Sequence, residues 1–408
     1  MSRAPTGLNP IDRPFLAGTP GFLIDDVHHR KWLRSEAERQ LAFFRTSTRA
    51  GSGFFLLDFD GKPLTDDTQE LHTATRLVHS FALGQVSGFE GCEDIVDHGL
   101  GFIWKHHRDD LHGGYVWAIK DQGVLDGHKL AYGHAFVLLA AASAHRAGHP
   151  DALRMLEDVW GVLDTRFWEE RYGLFSDEWA RDWLPFSNYR GMNANMHSIE
   201  ALLTAFEATG REIFLERAGR ILNFFVDKIA PAEDWRLPEH YNTDWKVDRD
   251  YSGNPMFRPS GTTPGHSFEL ARLNLRYWDL TGRHGDKSPQ ASRRLVEQAM
   301  ADAWNPEAGG LAYTLGYQGK PEVEDRYWWP VTEAIGAIAA LIKLERKAAD
   351  ESWYRQLWTF ASDFFIDHEK GGWFPEIDAE GHPVSKQFKG KPDIYHSLQA
   401  ALFPLSPT

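Results

Sequence analysis

The stretch RYGLFSDEW, residues 171–179, sets an aromatic beside a glycine and follows it with apolar and polar residues, before an apolar helix-like run begins near Ala194. The same signature returns at Gly53 in GSGFFLLDFDG, Gly114 in LHGGYVWAI, Gly310 in EAGGLAYTL and Gly372 in KGGWFPEID. A degenerate copy surrounds Trp235 in AEDWRLPEHY. Successive anchors lie 61, 59, 62, 75 and 62 residues apart. Six copies at a nearly even period predict a closed or stacked array of helical hairpins, because each unit buries its apolar face only against its neighbours.

Two kinds of helix alternate between the signatures. HTATRLVHSFALGQV, YGHAFVLLAAASAHRAG, ANMHSIEALLTAFEATG, GHSFELARLNLRYWDLTG, TEAIGAIAALIKLERKA and IYHSLQAALF are apolar nearly all round, the pattern of buried helices. DALRMLEDVWGVLDTRFW, REIFLERAGRILNFFVDKI and SWYRQLWTFASDFFIDH carry a distinct polar face and read as peripheral. The expected fold is therefore all-α: an (α/α)6 barrel of six inner and six outer helices, with short β-hairpins such as FFLLDFDG and YVWAI at one mouth. No linker divides the chain, so residues 1–408 read as one catalytic domain. Residues 1–20, rich in Pro and Gly, are expected to wrap the surface. The irregular segment 231–264 accounts for the long spacing and reads as a loop over a site.

A composition of 42% hydrophobic and 25% charged residues is that of an ordinary globular protein, and the 16 Trp, 26 Phe and 12 Tyr suit both a large core and a sugar pocket. A net charge of -14 argues against nucleic acid or an anionic membrane as bulk partner. One cysteine, Cys92, excludes an intramolecular disulfide and any multi-cysteine metal site. The N-terminus lacks a signal-peptide core, and the longest apolar run, AFVLLAAASA at residues 135–144, is far short of a membrane span. The expected location is the cytoplasm, as monomer or homodimer.

Polar residues interrupt the inner helices at a recurring place. Arg76 lies 23 residues past Gly53, His134 20 past Gly114, His197 24 past Gly173, Glu333 23 past Gly310 and His396 24 past Gly372, whereas His266 lies 31 past Trp235. A lone histidine in an apolar helix is more often a satisfied core residue than a catalyst. Repetition of the offset argues for a shared cavity. His266 and Glu269 are three apart on one helix face, so the carboxylate is expected to fix the imidazole tautomer and leave the other nitrogen as a base. His396 supplies a second imidazole. Asn193 and His197 share a face suited to sugar hydroxyls; Arg76 needs a carboxylate or sugar oxygen. Trp328 and Trp329 offer a stacking wall, with Glu333 as hydroxyl acceptor. His98, His106, His107, His145, His149 and His382 read as surface. No further ligand cluster is evident around His266 and Glu269, so acid-base use is expected rather than a metal or other cofactor.

NANMHSIEALL, PGHSFELARL, RYWWPVTEAIGA and GKPDIYHSLQAAL, with TRLVHSFALG nearer the N-terminus, resemble the N-acylglucosamine 2-epimerase family over most of the chain. The resemblance implies metal-independent proton transfer through a cis-enediolate. It matches His266 and His396 to the catalytic histidines, Glu269 to the orienting carboxylate, and Arg76, Asn193, His197 and Glu333 to sugar-binding positions. The segments containing Trp329 and His396 resemble the branch that interconverts D-mannose and D-fructose, with D-lyxose and D-xylulose as a related pair. The alternatives are a sugar 2-epimerase, a sulfoquinovose isomerase using Lys386, Lys389 and Lys391, a glycoside hydrolase on the same toroid, and a non-enzymatic binding protein.

Overall fold

The computed structural model describes residues 21–51, 53–66, 68–121, 123–251, 253 and 258–406. Segment 1–20, expected to wrap the surface, lies outside them, as do residues 252 and 254–257 of the long loop. The anchor glycines take the left-handed conformation that a side chain resists: φ is 85° at Gly53, 70° at Gly114, 71° at Gly173, 84° at Gly310 and 69° at Gly372. The degenerate copy keeps the turn without glycine, with Trp235 at φ 64°.

Among the described residues twelve long helices and one single-turn helix follow this rhythm. The outer helices are α1 (Val27–Phe44), α3 (Glu93–Phe102), α5 (Ala152–Val162), α7 (Glu212–Leu222), α10 (Lys287–Ala303) and α12 (Ala348–Phe360). The inner ones are α2 (Leu71–Val86), α4 (Ala131–Arg146), α6 (Met192–Thr209), α9 (Pro264–Leu280), α11 (Trp328–Leu344) and α13 (Tyr395–Leu402); the short α8 (Ala230–Ala232) belongs to the degenerate copy. Each inner helix packs on the next, and α13 returns to α2. The fold is an (α/α)6 barrel. Burial follows the two sequence classes: α4 is buried at every position from Gly133 to Ala144, whereas α7 buries one face through Phe214, Leu215, Ala218, Ile221 and Leu222.

Short antiparallel pairings tie each unit to the next at the mouth where the inner helices begin. Gln69 pairs with Ile119, Lys129 with Trp179, Arg190 with Tyr241, Thr262 with Leu315 and Arg326 with Ile377. Lys391 then pairs with Leu57, joining the last unit to the first. These contacts fix the heights of the inner-helix N-termini, and so the residues at the cavity. No helix among the described residues is long and apolar enough to cross a membrane.

Candidate active site

The inner helices present side chains in two tiers, one turn apart. The second residue of α2, α4, α6 and α11 supplies His72, Tyr132, Asn193 and Trp329 to the wall of a cavity of about 600 Å³. Five residues after the first in α2, α6 and α9 come Arg76, His197 and Glu269, deeper in the same cavity. In α4 that deeper position is Phe136, over whose ring the Arg76 guanidinium lies at 4.7 Å. His266 and His396 complete the wall.

Both imidazoles are held by a carboxylate on Nδ1. His266 Nδ1 donates to Glu239 Oε1 at 2.8 Å, and His396 Nδ1 donates to Glu333 Oε1 at 2.8 Å. A carboxylate there selects the tautomer whose Nε2 carries the lone pair, so each ring offers a base to the cavity. Trp329 neighbours both, with ring centroids 5.2 Å from His266 and 5.7 Å from His396. This approach depends on Gly265, since a Cβ there would fall 2.2 Å from the indole Cζ3.

Glu269 is wholly buried, and neither of its oxygens has a hydrogen-bond partner. Burial, reinforced by Glu333 and Glu200, pushes its carboxyl well above the usual range and so favours the protonated form. His197 Nδ1 stands 3.5 Å away; burial, with Arg76 nearby, pushes that imidazole well below its ordinary value. Burial also acts on Glu333, but Arg272, at 3.4 Å, and His396 outweigh it and hold the carboxylate ionised. Arg76 donates to Asp393 Oδ2 and to the Tyr132 hydroxyl, both at 2.8 Å. Asp177, another wall residue, is raised to about 8 by burial, with Arg258 opposing.

The geometry corrects several expectations. His266 is oriented by Glu239, not Glu269, because the bridge between Pro238 and Thr262 and the Glu239 N–H bond to the Gly261 carbonyl bring residue 239 alongside the start of α9. Glu269 faces the cavity instead. Glu333, expected as a hydroxyl acceptor, reaches His396 from behind. His134 is not at the cavity: Tyr115 N–H donates to its Nε2 at 3.0 Å, and its Nδ1 donates to the Leu130 carbonyl at 2.7 Å. It belongs to a structural series with Gln69 and Asn195, which clamp Phe54 and Phe175 beside their anchor glycines. His107, read as surface, is buried, with Nδ1 donating to the Val116 carbonyl at 3.0 Å. Lys391 is spent on Asp367 at 2.6 Å, which removes one cation from the sulfonate reading. The requirement for a partner at Arg76 is met by Asp393.

The sequence reading missed Glu239, Asp393, Tyr132, Arg272 and Glu200. Asp393 lies three residues before His396 and was legible as its neighbour; Glu239 sits in an irregular segment that carried no periodic signal. Two groups, His197 with Glu200 and Glu269, and Glu269 with Glu333 and His396, each offer three potential ligand atoms within 4.8 Å of one another. Arg272, 3.4 Å from Glu333 and 4.0 Å from Glu200, already places a cation among these acids. At the described end of the long loop, Arg258 and Pro259 line the cavity, and Arg258 pairs with Glu178 at 2.7 Å.

A D-mannose isomerase of Thermobifida fusca is 39% identical over 93% of this chain and 95% of its own length. One from Pseudomonas cannabina pv. alisalensis is 38% identical over 93% of each. A crystal structure of D-mannose isomerase superposes with a TM-score of 0.87 at 32% identity, covering 92% of this chain and 97% of that one. A cellobiose 2-epimerase structure from Spirochaeta thermophila, at 23% identity and TM-score 0.82, shares the fold. The model of the N-acylglucosamine 2-epimerase family matches residues 52–400. With that span matched and both relatives aligned nearly end to end, the chain belongs to the N-acylglucosamine 2-epimerase family.

Proposed function

We propose that this protein is an aldose-ketose isomerase that interconverts D-mannose and D-fructose. The observation that carries the reading is the pair of carboxylate-backed imidazoles, His266 on Glu239 and His396 on Glu333, both packed near Trp329 in one cavity. The similarity to two D-mannose isomerases over nearly the whole chain supports the choice of sugar.

In the forward direction one imidazole Nε2 takes the C2 proton of the open-chain aldose while O1 is protonated, giving a cis-enediol. A proton is then delivered to C1 as O2 loses its own, and the ketose results. The chain supplies what each step needs. A neutral imidazole is a base matched to neutral pH. Protonated Glu269, buried without a partner, is a donor that a sugar oxygen satisfies, and it stabilises negative charge developing on O1 or O2. Arg76, held by Asp393 and Tyr132, adds fixed positive charge at the same depth. Asn193 Oδ1 has no partner and accepts from a sugar hydroxyl. Trp329 provides an apolar face for the carbon chain. Arg272 supplies the charge that the clustered carboxyls require, so no metal ion is invoked. D-Lyxose, with the same configuration at C2 and C3, is the expected second substrate.

Turnover of D-mannose in heavy water tests this. Fructose carrying deuterium at C1 is the expected product; glucose labelled at C2 would make the protein an epimerase, and no exchange into either sugar would remove both activities. EDTA is expected to leave the rate unchanged.

A further inference from the structure

A second cavity, of about 480 Å³, opens at the opposite end of the barrel, between the C-terminal halves of the inner helices. Arg146 of α4 and Arg276 of α9 share a single carboxylate there, both donating to Glu207 Oε2. Lys343 of α11 makes no ion pair among the described residues; its Nζ donates to the Phe403 carbonyl at 2.5 Å and to Ser406 Oγ at 3.2 Å. Burial draws its ammonium down to about 8, with Arg30 and Arg346 adding to the effect.

Cations at this end offset the carbonyl ends of six helices, which accounts for basic residues in the last turns of α4 and α11. The helix dipoles do not account for the buried polar atoms left without partners. Gln399 Nε2, Arg272 Nε and His79 Nε2 have none, on side chains whose residues are 2%, 6% and 6% exposed and which line this cavity. An orphaned buried donor is costly enough that native structures seldom keep one without a ligand or water. Two of the three are donors in any state, and His79, whose Nδ1 is 2.7 Å from Ser143 Oγ, becomes one in the Nε2–H tautomer. Unspent donors beside a shared carboxylate and an unpaired ammonium select an acceptor-rich, negatively charged ligand. The volume is that of a small-molecule site, and guanidinium groups suit tetrahedral oxyanions in particular.

We propose that this second cavity binds a phosphate-type oxyanion, free or carried as the monoester of a sugar-sized alcohol, and that its occupancy is felt at the first cavity through Arg272. Arg272 lines the second cavity through its side chain while its Nη2 stands 3.4 Å from Glu333 Oε2, and Glu333 Oε1 holds His396 at 2.8 Å. A ligand that draws the guanidinium away loosens the carboxylate that fixes His396. Two contacts separate the sites.

The binding part stands apart from the isomerase reading, because it is measured without sugar turnover; the coupling part rests on that reading. Isothermal titration in phosphate-free buffer with inorganic phosphate, and separately with glucose 6-phosphate, is expected to give one site. Tighter binding of the ester identifies a sugar-phosphate ligand, and equal affinities identify the free ion. Lys343→Gln and Arg276→Gln, each outside the first cavity, are expected to weaken binding at least tenfold while leaving mannose turnover without the anion unchanged. No heat with either probe, or heat unaltered in both variants, overturns the site. Saturating phosphate is expected to change kcat/KM for mannose severalfold in the native protein and not in Lys343→Gln; an unchanged value in the native protein overturns the coupling.

Discussion

The first turns of α4 and α9 each carry a histidine that the repeat brings to notice, yet the two have opposite fates. Both ring nitrogens of His134 are consumed by backbone, the Leu130 carbonyl on one side and the Tyr115 N–H on the other. Burial holds that imidazole near 3, so it is a neutral structural wedge. His266 gives one nitrogen to the Glu239 carboxylate and keeps the other for the cavity. A histidine with both nitrogens spent joins loops; one with a carboxylate behind it and open space in front moves protons. The difference lies in what the segment before each helix brings to the ring, since the helices themselves start alike.

The largest expected effect tests that distinction directly. His266→Ala and His396→Ala should each lower kcat by about 10²- to 10⁴-fold with unchanged melting temperature, since a positioned acid-base group contributes on that scale. Near-native turnover in either variant would remove that residue from the chemistry. His134→Ala should do the reverse, leaving kcat close to native while costing about 1–3 kcal/mol for the backbone groups it strands, read as a lower denaturant midpoint. A collapse of kcat in a folded His134→Ala protein would erase the contrast.

Glu239→Gln probes the carboxylate rather than the ring. It keeps the hydrogen-bonding shape but not the charge, and kcat should fall about 10- to 100-fold, less than the effect of losing a positioned base, with KM little changed. A Glu269→Gln variant measured alongside should retain more activity than Glu269→Ala, because Gln still offers a donor to the sugar. Gly265→Ala should raise KM severalfold, because its methyl group occupies the space of the Trp329 indole.

The smallest effect concerns Asp177. Its folded carboxyl titrates near 8, against an ordinary value near 3.8. Between those values the folded protein holds a proton that the unfolded chain has released, so this contribution to stability is complete below the lower value and is lost as pH rises through the upper one. The melting temperature of the native protein should carry a downward component between pH 5 and pH 8. Asp177→Asn should make that decline shallower; an identical slope would rule out a raised carboxyl.

The fold was legible because its unit repeats. Apolar inner helices and amphipathic outer ones recur six times, and glycines that tolerate positive φ five times, so each copy reinforces the reading of the others. The second copy shows the limit of counting: an offset of 20 reached His134, whereas the residue equivalent in depth to Arg76 and His197 is Phe136, which has no polar signal to find. Helical spacing also misassigned the acids. Glu269 shares a helix with His266, but it lines the cavity beside His197 while Glu239 takes the place behind the ring.

The sequence by itself determined the six-unit barrel, the mouth at which chemistry gathers and the two histidines that face it, because periodicity and side-chain type are local properties that survive in one dimension. Only the tertiary structure decided which carboxylate stands behind which imidazole. Glu239 reaches His266 across 27 residues and Glu333 reaches His396 across 63, contacts set by how loops fold back within a unit and how neighbouring inner helices pack around a ring, and in a low-dielectric cavity those pairings decide which groups hold protons and which release them.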